Sequence, residues 1–204
     1  MLSNKVVSFL ASGRGSNFTA IAKSISNGYI KAELGILISD RKNAKALEIA
    51  RDYGMESFFI DPEIYPARED HERQMIKLLS KYKTDLIIGA GYMRVLTPYF
   101  ISRYKFRIIN IHPALLPSFP GVHAQKQAFD KGVKITGCTA HFIDEGVDTG
   151  PIILQTPVPV LDDDTVDTLS ARILKEEHRI LPESVKLFCE GRLKIKGNKV
   201  LNKK

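Results

Sequence analysis

The chain has 204 residues, 44% of them hydrophobic and 26% charged, with 10 prolines, 14 glycines and no tryptophan. That composition excludes disordered and collagen-like chains, and two cysteines, Cys138 and Cys189, are too few for a disulfide scaffold or a tetrathiolate metal site. The net charge of +7 is a weak pointer to a polyanion, because Arg192, Lys194, Lys196, Lys199, Lys203 and Lys204 account for all but one unit of it in a terminal stretch without acids.

One domain is expected, with a basic tail over residues 191–204. No apolar run reaches the length of a membrane span, and the opening residues turn into a glycine-rich loop before a signal-length segment is complete. The expectation is a cytoplasmic chain without leader, membrane partner or nucleic-acid partner, its thiols suited to a reducing compartment.

In chain order, Val6 to Leu10 is a short apolar run meeting Ala11-Ser12-Gly13-Arg14-Gly15-Ser16-Asn17, after which Phe18, Ile21, Ala22 and Ile25 recur at helical spacing. Leu34 to Ile38 predicts a second strand, about 44–51 a helix, and Ser57 to Ile60 a third strand. Tyr65-Pro66 opens a helix carrying Met75, Leu78, Leu79 and Tyr82 on one side, and Asp85 to Ala90 follows as a strand. Nearly continuous apolar runs, rather than alternating ones, indicate parallel strands covered on both faces.

Pro98 opens a short helix, and Phe106 to Ile111 is a fifth strand running into His112-Pro113. Residues 112–121 contain three prolines and a glycine and must form a loop. A helix over 122–129 is followed by extended stretches 135–143 and 152–160, which read as antiparallel partners. Asp162-Asp163-Asp164 suits the positive end of a long helix that Pro182 divides or kinks, and Gly197-Asn198 centres a small terminal hairpin.

Between a strand and a helix, the 11–17 loop offers backbone N–H groups to an anion, with Gly13 and Gly15 permitting close approach. It lacks the third glycine of a dinucleotide fingerprint and the Gly-Lys-Ser/Thr of a nucleotide phosphate loop, so a terminal phosphate monoester is the better ligand class. In Asn110-Ile111-His112 the polar side chains share one side of a strand end, where open α/β sheets place their ligands. Asp148, in a glycine-bounded loop, is placed to orient that imidazole if the loop packs against residue 112. No GxSxG elbow is present, and Cys138 lies in a strand where a buried thiol behaves as a small hydrophobe.

The segments ASGRGSN (11–17), GAGYMRVL (89–96), NIHPALLPSFPG (110–121), HFIDEGVDTGPIILQ (141–155) and EEHRILP (176–182) together resemble the phosphoribosylglycinamide formyltransferase family of folate-dependent transferases. They stand in that family's order and span nearly the whole chain. The resemblance implies an α/β fold in three layers, with a mostly parallel twisted sheet, a Rossmann-like N-terminal half and antiparallel strands at the C-terminal side. It places a phosphate-binding half at 1–105, a catalytic and folate-binding half at 106–190 and the tail at 191–204.

It further implies that the formyl group of 10-formyltetrahydrofolate passes to the glycyl amine of 5'-phosphoribosylglycinamide in purine biosynthesis, with no metal. Asn110, His112 and Asp148 match the family's catalytic trio. Gly15, Ser16 and Asn17 would hold the 5'-phosphate and Glu177 the ribose hydroxyls. Met93, Arg94, Val95 and Leu96 would line the folate pocket, with Asn110 and the Asp144, Glu145, Gly146, Val147 and Asp148 loop reading the pterin-like ring and Arg68 lying toward the rest of the cofactor. Arg14 stands where the family often has Asn, and Gln125 where some members have His. A cis Leu116–Pro117 bond is implied, as are small-molecule substrates and a monomer or weak homodimer. From the residues alone two other readings stay open: a formyltransferase acting on another amine, such as an amino sugar nucleotide, and a non-enzymatic nucleotide- or polyanion-binding module.

Overall fold

The computed structural model describes residues 4–203. Residues 1–3 and Lys204, the ends of the expected leaderless start and basic tail, lie outside the described residues. Two compact units part between Ile109 and Asn110, inside a strand and beyond the expected edge at 105/106.

In the first unit the strands β1 (Lys5–Leu10), β2 (Ala32–Ser39), β3 (Glu56–Phe59) and β4 (Leu86–Gly89) lie in the order β3-β2-β1-β4, every described pair parallel. Helices α1 (Ser16–Ser26), α2 (Lys45–Asp52) and α3 (Arg68–Lys81) connect them, and α4 (Pro98–Arg103) follows β4. The apolar runs are buried on both faces, as parallel strands require: Val7, Phe9, Leu10, Ile36, Leu37, Leu86, Ile87 and Ile88 are shut off from solvent. Burial of each large side chain stabilises the fold by about 1.5–3 kcal/mol. Phe9 and Phe18 add an edge-to-face contact at 4.7 Å that locks α1 onto β1. The buried Ser8 is accommodated because its hydroxyl pairs with Thr84 Oγ1 at 2.8 Å and accepts Ile36 N–H at 3.2 Å.

Strand β5 (Ile108–His112) crosses the division between the units. The second unit contains α5 (Ala124–Asp130), the antiparallel pair β6 (Ile135–Phe142) and β7 (Ile152–Pro159), and the long α6 (Val166–Cys189). Proline 182 does not divide α6, which runs unbroken for 24 residues. The bond that Pro182 forgoes is outweighed by a buried face of Leu169, Ile173, Ile180, Leu181 and Val185, and tertiary burial overrides propensity. A reciprocal Thr165/Thr168 capping box starts that helix, and Asp164 is braced by Arg172 at 2.6 Å. The terminal hairpin forms: β8 (Leu193–Lys196) pairs antiparallel with β9 (Lys199–Asn202), and β9 adds in parallel to β7 through Ile152 and Lys199.

Candidate active site

The loop of the first unit is shaped by its backbone. Gly15 caps α1 with a left-handed φ of 76°, and a Cβ there would stand 2.9 Å from the Ala46 Cβ, so both conformation and space demand glycine. Ala46 N–H donates to Gly13 O at 3.1 Å. No side chain caps α1, which leaves its positive end to the loop. Asp40, 4% exposed, accepts Ser12 Oγ–H at 2.6 Å, and Ser12 Oγ in turn accepts Met93 N–H at 2.9 Å. Asp40 is therefore committed to holding the loop. Arg14 is exposed, while Ser16 and Asn17 are half-buried.

The 92–97 segment presents Met93 and Val95 to solvent, 69% and 54% exposed, while Leu96 is turned inward. Its backbone is clamped from α3. Arg68 donates to Val95 O at 3.3 Å, and buried Glu72 accepts both Thr97 N–H at 2.8 Å and the Thr97 hydroxyl. Arg68 thus contacts the segment's backbone, a link that its sequence position did not reveal.

In the second unit the alternation of β5 turns Asn110 and His112 to one side, and His112 is 3% exposed. His112 Nε2–H donates to Phe119 O at 2.8 Å, and Nδ1 lies 3.1 Å from Asp148 Oδ2. The proline-rich loop that supplies Phe119 contains the cis Leu116–Pro117 bond. It is pinned by Thr139 Oγ1–H donating to Ala114 O at 2.7 Å and by Gln155 Nε2–H donating to Leu116 O at 2.9 Å. Phe119 and Asp148 both adopt left-handed φ, 55° and 56°, a conformation costly for non-glycine residues and concentrated at functional sites.

The Asp148 loop is closely folded, since a Cβ on Gly150 would strike Phe142 O at 1.9 Å. Asp144 accepts Gly146 N–H at 3.2 Å and Thr149 Oγ1–H at 2.7 Å, which orders the loop, while Glu145, Gly146 and Val147 are exposed. Burial alone would raise the Asp148 pKa. Hydrogen bonds from His112 and from Gly121 N–H, the latter at 2.8 Å, outweigh it and hold the carboxyl well below the usual range. Both His112 nitrogens therefore face acceptors, a carbonyl and an ionised carboxylate, an environment suited to the doubly protonated ring.

His141 completes the cluster and was missed by sequence reasoning. It is 1% exposed, with Nδ1 2.9 Å from Phe142 O and Nε2 3.4 Å from Asn110 Nδ2 and 3.6 Å from Asp148 Oδ1. The available signal was a histidine at the end of the strand that leads into the Asp148 loop. Glu177 is buried on α6, and its charge, after burial itself, helps push the Cys138 thiol up to about 12, so that thiol is no nucleophile. Among the described residues no group of His, Cys, Asp and Glu is arranged to hold a metal, and no helix is long and apolar enough to cross a membrane.

A half-buried amide and carboxylate about a buried imidazole, with no competent nucleophile beside them among the described residues, suit acyl transfer between bound substrates without a covalent enzyme intermediate. Fold and cluster together define an α/β acyl-transfer enzyme. Residues 5–185 match the Formyl transferase family. The chain is similar to glycinamide ribonucleotide transformylase 1 of Symbiobacterium toebii, with 46% identity, 98% of this chain and 95% of that chain covered, and a TM-score of 0.97. It is 38% identical to phosphoribosylglycinamide formyltransferase of Escherichia coli (strain K12), covering 93% of this chain and 89% of the relative. It also matches the trifunctional purine biosynthetic protein adenosine-3 of Drosophila melanogaster at 41% identity, spanning 92% of this chain but 14% of that longer protein. The chain belongs to the formyl transferase family and, within it, to the phosphoribosylglycinamide formyltransferases. The expected α/β fold with a mostly parallel sheet is the fold of this family.

Proposed function

We propose that the chain transfers the formyl group of 10-formyltetrahydrofolate to the glycyl amine of 5'-phosphoribosylglycinamide, a step of purine biosynthesis, and that Asn110, His112 and Asp148 carry the chemistry. Identity to transformylases along nearly the whole chain supports the substrates. The observation that carries the catalytic reading is the buried contact of His112 Nδ1 with Asp148 Oδ2 at 3.1 Å.

The folate supplies the formyl carbon and an amine leaving group. As the neutral glycyl amine adds to that carbon, the formyl oxygen gains negative charge, and its donors are the Asn110 NH₂ and the His112 imidazolium, the latter by turning its Nε2–H from Phe119 O to the formyl oxygen. Loss of one such donor typically costs roughly 3–4 kcal/mol, about two to three powers of ten in rate. Asp148, ionised throughout the neutral range, favours the charged imidazole and assists transfer of the proton from the incoming to the outgoing nitrogen. Gly15, Ser16 and Asn17 hold the 5'-phosphate at the positive end of α1, and Glu177 receives the ribose hydroxyls. Folate contacts fall to Met93, Arg94, Val95 and Leu96 in the first unit, steadied by Arg68 through Val95 O, and to the 144–148 loop in the second.

Steady-state turnover of phosphoribosylglycinamide with a formyl-folate donor tests this directly. The wild-type chain is expected to be active, and His112→Ala to lower kcat by about 100-fold or more while KM for the ribonucleotide changes little. Unaltered kcat in that variant would refute the catalytic assignment.

A further inference from the structure

We infer that His141 is a positioning residue for the transfer: as a neutral ring protonated on Nδ1, it accepts a hydrogen bond from Asn110 and fixes which end of that amide is offered to the reacting oxygen. The inference rests on the reading above, in which the Asn110 NH₂ is one of the two donors to the formyl oxygen.

The assignment begins at a backbone carbonyl. His141 Nδ1 lies 2.9 Å from Phe142 O, and a carbonyl oxygen only accepts, so the proton belongs on Nδ1. In the neutral ring Nε2 then carries a lone pair, and what faces it at 3.4 Å is the Asn110 side-chain amide. An amide has one donor end and one acceptor end. Opposite a lone pair the donor end is favoured, whereas a half-turn of the amide would set Oδ1 against Nε2 with no hydrogen between them. One N–H of Asn110 is thereby committed to His141 and the other is left for substrate.

The carboxylate next to the same nitrogen does not upset this arrangement. Asp148 Oδ1 stands farther away, at 3.6 Å, while Oδ2 already takes Gly121 N–H at 2.8 Å and the His112 contact at 3.1 Å. Nε2 cannot accept from Asn110 and donate to Asp148 in one protonation state. The two histidines have different surroundings: His112 faces an acceptor at each nitrogen, whereas His141 faces one acceptor and one amide able to donate. A single positive charge, on His112, satisfies every partner, and a second buried imidazolium beside it would be opposed by like-charge repulsion. His141 is 1% exposed, so bulk water does not compete for Nε2 and the orientation of the amide is set by the ring.

The test is a double-mutant cycle on the full chain, with folding of each variant checked by circular dichroism. H141L, which cannot accept, is expected to lower kcat about 10-fold with both KM values nearly unchanged, and H141Q, whose amide oxygen can accept, to recover most of the loss. In an N110A background H141L should cost nothing further. An equal loss on N110A, or a loss that instead vanishes on D148N, overturns the inference. Nitrogen-15 NMR of the ring in the wild-type chain gives a readout independent of activity: a protonated Nδ1 with bare Nε2 supports the assignment, and a protonated Nε2 refutes it even if H141L does not fold. Absence of wild-type turnover with phosphoribosylglycinamide would count against the proposed function, while the NMR result would still decide the tautomer.

Discussion

The two units build their loops from opposite materials. In residues 11–17 the shape comes from backbone: a left-handed Gly15 seated against Ala46, a Gly13 carbonyl tied to Ala46 N–H, and a carboxylate, Asp40, that restrains the loop. In the second unit the shape comes from side chains bound to one another, with Asn110, His112, His141 and Asp148 gathered from two strands and a loop. A backbone-built loop tolerates changes of side chain but not the addition of a Cβ at the wrong place. A cluster of buried polar groups is sensitive at each member, because losing one leaves its partners unsatisfied.

The sharpest way to break that contrast is at Asp148. Asp148→Asn keeps the size and suits the left-handed backbone while removing the charge, and kcat is expected to fall about 100-fold or more with modest change in KM. A variant of near wild-type kcat would show that the carboxylate is structural. Gly15→Ala comes next. It is expected to destabilise the fold by about 1–3 kcal/mol, read as a lower urea midpoint, and to raise KM for the ribonucleotide more than it lowers kcat. An unchanged midpoint would mean that the Ala46 contact relaxes without cost.

The acid limb sharpens the comparison further. The folded-state pKa of Asp148 is depressed, so its contribution to stability is fully present above the unfolded carboxylate value near 4 and is lost as pH falls through the folded value. The stability gap between wild type and D148N, measured by urea unfolding, is therefore expected to stay constant from pH 8 to about 5 and to shrink below about 4. A gap that narrows already between pH 7 and 5 would place the titrating group elsewhere. The smallest effect is expected at Arg14, which is exposed: Arg14→Ala should raise KM for the ribonucleotide by no more than about threefold, as for an exposed charge, and a tenfold rise would show that the side chain faces the phosphate.

Much of this was legible in the chain because the signals are local. Unbroken apolar runs marked the parallel strands, Gly13 and Gly15 marked the turn into α1, and the period of two in Asn110-Ile111-His112 placed both polar groups on one side. What was not legible depends on contacts between residues distant in sequence. The hold of Asp40 on Ser12 and that of Arg68 on Val95 O each join residues 27 or more positions apart and leave no mark in the local sequence. His141 is ordinary within its strand and acquires meaning only through residues 110 and 148. Pro182 does not divide α6 for the converse reason, since the local rule against helix interiors is outweighed by the buried face around it.

The Ser12 hydroxyl donates to Asp40 and accepts from the Met93 amide, so one oxygen atom is a shared hinge pin between the loop assigned to phosphate and the segment assigned to folate. The 2.9 Å bond joins the segment to the loop, and the 2.6 Å bond anchors the shared oxygen to buried Asp40. Ser12→Ala removes both bonds at once, so it is expected to loosen the 11–17 loop and the 92–97 segment together, read as faster amide exchange in both.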